Sequence, residues 1–258
     1  MMILQSARLW HEKKHLTPWH QHTRGQLYLL THGMIALETQ EQQWAMTAGS
    51  IGWLPPHCAH QALACGNVAG WSLYLPEPYC SGLPEQPHLS TASGLIQALV
   101  ERLAQFAGQR LNAPQRRLLQ VLRDEVRMQE NTPLQLPLPQ DARLLKIARA
   151  LLNEPADNRT QSEWAAWAGL SIRTLSRRFI NETGMTFARW RQQARVIRSL
   201  EPLSRGEAVN RIAAECGYDN VSAYIAAFRQ RFGTTPGLYF VQRETHFREK
   251  NEAVVRRN

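Results

Sequence analysis

Imidazoles crowd the first third of the chain: eight of the nine histidines (His11, His15, His20, His22, His32, His57, His60, His88) precede residue 89, and only His246 lies beyond. His20 and His22 are two apart, a spacing that turns both rings to one side of a strand. A neutral imidazole offers a lone pair to a metal or a hydrogen bond to a ligand, so such a pair suits a binding pocket. A second chemistry is cationic. In the helical stretch after Ser171, Leu175 and Phe179 share one face and should be buried. Arg173, Ser176, Arg177 and Ile180 then fall on the opposite face. An arginine fork there can donate two hydrogen bonds to guanine O6 and N7 in a major groove.

Charge separates the two chemistries. The 258 residues carry 30 Lys+Arg against 21 Asp+Glu, a net +9. Residues 1–140 hold 10 basic and 9 acidic residues, and residues 141–258 hold 20 and 12, so the second half carries +8. Residues 1–90 alone balance at −1. A neutral, His-rich half and a basic half imply two domains with different partners, the basic one suited to nucleic acid. Hydrophobic content of 43% excludes a disordered chain. No run of about 18 apolar residues spans a membrane and no export signal leads the chain. Cys58, Cys65, Cys80 and Cys216 lack CxxC spacing, which fits a reducing cytoplasm.

The elements that must position these groups follow from pattern. Short apolar or alternating runs at 27–31, 35–39, 44–46, 51–54 and 71–75, punctuated by Gly33, Gly49, Pro55-Pro56, Gly66 and Gly70, predict a small all-β sandwich or barrel over 1–90. Apolar residues recur at three- and four-residue spacing in 93–106 and 114–129, predicting two amphipathic helices within 91–131. These either cover the barrel or pair two subunits. Three prolines within Thr132–Pro139 predict an extended linker over 132–140. Residues 242–258 form a basic tail.

Residues 141–241 read as helical and contain a repeat. Ala168-Gly169 and Cys216-Gly217 lie 48 apart, and Phe179-x4-Gly184-x-Thr186 matches Phe228-x4-Gly233-x-Thr235 at an offset of 49. Capping-box patterns, Thr160-x2-Glu163 and Ser204-x2-Glu207, open each repeat. Each unit, about 161–182 and 209–232, has a short helix, a glycine turn and a second helix capped by Ser171 or by Asn220 or Asp219: helix-turn-helix form. By the offset, the second reading helix presents Ser222, Ile225, Ala226 and Arg229. Readout is therefore expected to be asymmetric. The first unit supplies base hydrogen bonds; the second supplies apolar contacts, phosphate anchoring or shape readout. Arg178, Arg189, Arg191 and Arg211 are candidate phosphate partners. The stripe Phe187, Trp190, Ala194, Ile197 and Leu200 predicts a rigid connector, so one chain could address successive major grooves roughly 34 Å apart.

The stretch Ile212-Ala-Ala-Glu-Cys-Gly217 through Phe228-Arg-Gln-Arg-Phe-Gly-Thr-Thr-Pro-Gly-Leu-Tyr-Phe240 closely resembles the signature of AraC/XylS-type transcription regulators. The resemblance covers about 100 residues and includes the duplication. Ala226 stands where many members carry a groove-facing arginine, and Phe240 where an arginine is frequent. The resemblance implies binding to double-stranded promoter DNA, contact with RNA polymerase and a homodimer.

The first half resembles the two cupin motifs: His20-x-His22-x3-Gln26-x6-Gly33, then Gly49-x5-Pro55-x4-His60. The resemblance implies that His20, His22, His60 and the residue at 26 converge inside a small β-barrel. Three imidazoles and one oxygen would suit Zn, Fe, Ni or Cu. Gln26 replaces the motif's glutamate and His57 its glycine. Cupin-like sensors of AraC-type regulators often bind a small molecule without metal, so two occupants stay open: a divalent metal, or an organic effector in a polar-lined pocket. Tyr28, Trp44, Trp53 and Trp71 are candidate lining residues, although large aromatics in small barrels ordinarily fill space. The expectation is a two-domain chain with an N-terminal cupin-like barrel, flanking helices and a C-terminal all-α duplicated helix-turn-helix domain. It is a cytoplasmic, non-enzymatic regulator whose promoter binding responds to a small molecule or metal. The alternative is a cupin metalloenzyme with a basic helical appendage.

Overall fold

A computed structural model describes residues 3–65, 67–130 and 134–240. The start of the expected linker, at 132 and 133, and the basic tail at 242–258 lie outside them. Chain contacts divide the described residues into two units, one of 3–39 and 44–134, the other of 40–43 and 135–240. Among them no helix is long and apolar enough to cross a membrane.

The first unit contains β1 (Gln5–His11), β2 (His15–His20), β3 (Gly25–His32), β4 (Met34–Thr39), β5 (Gln42–Thr47), β6 (Ser50–Leu54), β7 (His60–Ala64), β8 (Val68–Leu75) and β9 (His88–Thr91). It also holds α1 (Glu77–Cys80), α2 (Gly94–Ala104) and α3 (Ala113–Met128). One sheet runs β1-β8-β3-β6-β9 and the other includes β5-β4-β7-β2. The five sequence-predicted strands correspond to β3, β4, β5, β6 and β8. Of the other four, β1 and β2 lie largely exposed and carry no apolar alternation, and β7 and β9 are only five and four residues long.

Alternation sorts β3, β6 and β8 into two faces. Leu27, Leu29, Ile51, Trp53, Leu73 and Leu75 face one way, packed in a core with Ile96, Val100 and Leu103 of α2 and Leu119, Leu122 and Val126 of α3. Both helices therefore cover the sheet. Ser93 caps α2 by accepting from Ile96 N, and Asn112 forms a capping box with Gln115 at the start of α3. Gln26, Tyr28, Ser72 and Tyr74 point to the opposite face, since Gln26 pairs with Tyr74 and Tyr28 with Ser72.

The second unit contains β10 (Gln135–Pro137), α4 (Ala142–Asn153), α5 (Gln161–Trp167), α6 (Ile172–Thr183), α7 (Phe187–Arg198), α8 (Leu200–Ser204), α9 (Val209–Glu215) and α10 (Val221–Phe232). The proline-rich segment is not a free linker over its described part. Leu136 and Leu138 are buried, Trp190 Nε1 donates to Pro137 O at 2.7 Å, and Leu138 N donates to Glu41 O at 2.7 Å. Alternate leucines gave it one buriable face, which proline content alone concealed. The core joins Leu144, Ile147 and Leu151 of α4, Trp164 of α5, Leu175 and Phe179 of α6, Trp190 of α7, and Tyr224 and Phe228 of α10. The ring of Phe179 meets Phe187 at 5.4 Å and Trp190 at 5.5 Å, both edge-on.

Both helix-turn-helix units are present, as α5–α6 and α9–α10. Thr160 and Glu163 make the predicted capping box, Ser171 caps α6 through Thr174 N, and Asn220, rather than Asp219, caps α10 through Ala223 N. The second predicted box does not form. Ser204 ends α8 and donates to Glu201 O, while Glu207 pairs with Arg205 at 2.7 Å. With its glutamate held by that arginine, α9 starts after Ala208 without a side-chain cap.

Candidate functional site

On α6, Leu175 and Phe179 are fully buried, and Arg173, Arg177 and Ile180 are exposed on the other side. No acidic side chain among the described residues holds Arg173 or Arg177. Their forks are free to donate. Ser176 is half-buried; its Oγ donates to Ile172 O at 2.9 Å and accepts from Gln161 Nε2 at 2.7 Å, which fixes α6 against α5. That leaves Ser176 less available to a base than its position on the face suggested.

On α10, Tyr224 and Phe228 are buried while Ser222, Ala226 and Arg229 are exposed and Ile225 is half-buried. At three of the four corresponding positions the polarity is reversed. Arg173 corresponds to Ser222, Ser176 to Ile225, Arg177 to Ala226, and Ile180 to Arg229. The second face offers one cation at its far end, where the first offers two near its start.

The expected phosphate partners divide. Arg178 turns away from the reading face and pairs with Asp141, the cap of α4, whose carboxyl hydrogen bonds with Arg143 hold it well below the usual carboxylate range, at about 2. Arg191 Nη1 donates to Arg159 O at 2.8 Å, and Arg211 pairs with Glu215 at 2.7 Å. Each is engaged inside the unit, because an oxygen acceptor lies within its reach. Arg189 is exposed and has no such partner.

Arg195 was missed. Its guanidinium donates to Pro155 O, Gly217 O and Asn158 Oδ1 at 2.8–2.9 Å, joining the loop before α5 to the turn of the second helix-turn-helix. Its position in a helix marked by apolar spacing gave no signal of a buried role.

In the first unit the end of β2, the loop after it and the start of β7 bring three histidines together; His22 lies in that loop, two residues past β2, rather than on the strand with His20. His20 lies opposite His60, and a register shift between Thr17 and His20 turns the end of β2. The rings of His20 and His60 are 4.2 Å apart, and that of His22 lies 5.3 Å from His60. One ligand nitrogen from each lies within 4.8 Å of the others. Each Nδ1 sits on a main-chain carbonyl: His20 on Pro18 O at 2.8 Å, His22 on Arg24 O at 2.6 Å and His60 on Cys58 O at 2.9 Å. A carbonyl only accepts, so each Nδ1 carries a proton, and in the neutral ring it is Nε2 that offers the lone pair.

His60 is fully buried, its Nε2 has no hydrogen-bond partner, and burial lowers its pKa to about 4, keeping it neutral. Gln26 Oε1 lies 2.9 Å from His22 Nε2, and Gln26 Nε2 donates to Ser72 Oγ at 2.8 Å. Two acceptors face each other at the His22–Gln26 contact. Two arrangements satisfy them: an amide turned so that it donates to His22, or a cation between them. The donor set fits a divalent transition metal, which takes imidazole nitrogens at about 2.0–2.1 Å. The present span is slightly wide for that, and His20 is the exposed ring of the three.

Tyr28 lies on the Gln26 face and is buried, with its phenol pushed up by that burial and bonded to Gln26. Trp53 does not line this site. It pairs with Leu27 rather than Gln26, packs into the helix-covered core and donates from Nε1 to Pro84 O at 2.7 Å. Trp71 packs on that same side. Ser72 and Tyr74 belong to the site instead, the Tyr74 ring edge-on to His22 at 5.6 Å. The polar alternation of Trp71-Ser-Leu-Tyr-Leu75 carried that signal.

A β unit with a convergent polar site and a helical unit with two helix-turn-helix motifs define a DNA-binding protein with a ligand-binding domain. A helix-turn-helix domain model matches residues 164–242, and an AraC-like ligand binding domain model matches residues 4–111. The HTH-type transcriptional regulator NimR of Escherichia coli K12 is 31% identical over 230 residues, covering 89% of this chain and 84% of NimR. The HTH-type transcriptional activator RhaS of Citrobacter koseri is 23% identical over 240 residues, covering 85% and 86%. A solved structure of ToxT from Vibrio cholerae covers 93% of this chain and 98% of its own at 11% identity and a TM-score of 0.41. The chain belongs to the AraC/XylS family: it is a DNA-binding transcription regulator with an N-terminal ligand-binding domain. The cupin metalloenzyme alternative is not favoured, since these relatives are transcription regulators.

Proposed function

We propose that the ligand-binding domain responds to a divalent transition metal held by His20, His22, His60 and Gln26, and that its occupancy changes promoter affinity. The observation that carries this reading is the set of three imidazoles whose Nδ1 atoms are all fixed by carbonyls. Bound there, the ion would supply a fixed charge in a site that is otherwise neutral. Tyr28, Ser72 and Tyr74 would orient Gln26 and His22 around it. The second reading, an organic effector in the same pocket, draws on Gln26: a neutral amide bonded to Ser72 suits a hydrogen-bonding ligand as well as a cation.

Metal analysis of the purified full chain separates them. Stoichiometric metal, lost in both His20→Ala and His60→Ala, is expected. A metal-free protein whose DNA affinity ignores added Zn²⁺, Ni²⁺, Cu²⁺ and Fe²⁺ would overturn the metal reading. Coupling of ordinary size would alter DNA affinity by about 5–150-fold.

Arg173 and Arg177 read bases as contacts of the first helix-turn-helix, with Ser222, Ala226 and Arg229 giving the weaker readout of the second helix-turn-helix. We further propose a cytoplasmic homodimer that contacts RNA polymerase. The outer face of α3 supports dimerisation, because Val121 and Met128 are exposed there while the inner face packs on the sheet.

A further inference from the structure

We infer a second ligand site in the DNA-binding unit, for a phosphate-type oxyanion carrying a hydroxyl, in the groove between α7 and α10. The groove is a cavity of about 450 Å³, lined in part by Arg189, Gln192, Gln193, Gln230 and Arg231. Arg189 and Arg231 both line it, and no acidic residue is among its lining residues. Arg231 is half-buried; its Nη2 donates to Gln135 O at 3.0 Å, but its Nε is buried with no partner. Gln193 is 9% exposed, and its Oε1 is likewise buried without a partner. Burial and the nearby charge of Arg189 both work against the cation of Arg231.

These groups specify their occupant. A desolvated guanidinium beside a second one is unfavourable unless an anion lies between them. The orphaned Nε needs an acceptor, and the orphaned Oε1 needs a donor. A hydrogen phosphate, or a phosphomonoester protonated on one oxygen, offers both in one group, and its other oxygens can meet Arg189 by charge-assisted bonds.

The anion is a free ligand rather than a phosphate of bound DNA. At 3.6 residues per turn, Ala227 and Arg231 stand about 100–180° around α10 from Ser222 and Ala226, which lie on its candidate reading face, while Gln230, about 40° from Ala226, forms the edge of the groove nearest that face. The floor of the groove, at Ala227 and Arg231, is thus on a different side of the helix from Ser222 and Ala226. This inference does not depend on what occupies the histidine cluster.

Inorganic phosphate is the probe, titrated at low-millimolar concentration into the full chain, with potassium chloride at matched ionic strength as control. A saturable rise in the thermal midpoint over chloride is expected, together with heat of binding in calorimetry. Gln192→Glu and, separately, Gln230→Glu place a carboxylate in the groove from exposed positions. Each is expected to weaken phosphate binding tenfold or more and to raise the phosphate-free midpoint. Equal midpoints in phosphate and chloride, or a phosphate response unchanged in both variants, would overturn the site. Repeating the titration on protein saturated with a random 30-base-pair duplex decides the source. Persistence of the phosphate response supports a free ligand, and its loss assigns the site to the DNA backbone and overturns the free-ligand inference.

Discussion

Arg177 projects from α6 with no acidic neighbour, whereas the next residue turns inward onto Asp141. Replacing Arg177 by alanine should lower affinity for the cognate site by about 1–3 kcal/mol and relax preference at one base pair, measured by competition binding across a randomised site. Arg178→Ala should leave that preference unchanged and loosen the start of α4 instead. Asp141 supplies a pH test. Its carboxyl is held at about 2 by its bonds with Arg143, against an ordinary value near 4. The stabilisation is therefore complete above about pH 4 and lost as pH falls through 2. Asp141→Ala should remove that acid-range loss and cost about 1 kcal/mol at neutral pH through the missing cap, read by chemical denaturation. His57 gives a backbone test. It is the non-glycine residue with positive φ among the described residues, at 63°, and it stands where the cupin motif has glycine. His57→Gly should be neutral or stabilise the chain by up to about 1 kcal/mol.

The glycine turns of the two readers are alike in conformation and unlike in surroundings. Gly169 has φ +66° with nothing near an added Cβ, while Gly217 has φ +75° with Ala156 Cα and the Arg195 guanidinium at 2.8 Å. Alanine at 169 should cost about 1 kcal/mol in backbone strain, and alanine at 217 clearly more, in denaturant unfolding followed by tryptophan fluorescence. Ala226→Arg should add specificity at a new base pair of the second half-site, testing the asymmetry of the readers. At this scale most of the molecule was legible. The duplication, both second helices of the helix-turn-helix units, the cap at Ser171, a cap at Asn220 or Asp219, and the two amphipathic helices all follow from local spacing. The failures share a cause. The box at Ser204 and Glu207 lost its glutamate to Arg205, residues 135–137 of the expected linker acquired strand structure from tertiary burial, and Trp53 took its face through pairing with Leu27. Those outcomes depend on partners distant in space. The His20, His22 and His60 convergence was readable only through motif resemblance, because nothing local places residue 60 beside residue 20.

Charge is unequal between the units in the same sense: residues 3–39 and 44–134 hold 10 basic and 8 acidic residues and carry the histidine site, while residues 40–43 and 135–240, with the readers, hold 15 and 10. DNA affinity should therefore fall steeply with salt through the second unit's arginines. Val121→Asp should reduce self-association, measured by sedimentation, without changing the intrinsic preference of α6 for its base pairs.

Arg195 has a consequence for the genome rather than for the protein. By holding Pro155, Asn158 and Gly217 on one guanidinium, it locks the second reader to the loop that leads into the first. The promoter must then match that lock: its two half-sites need a fixed helical phase as well as the right letters. Inserting five base pairs between them would carry one half-site to the far side of the duplex, and a further five would restore the phase but not the distance. Promoters for this protein should accordingly tolerate base changes under α10 far better than changes of a single base pair in spacing.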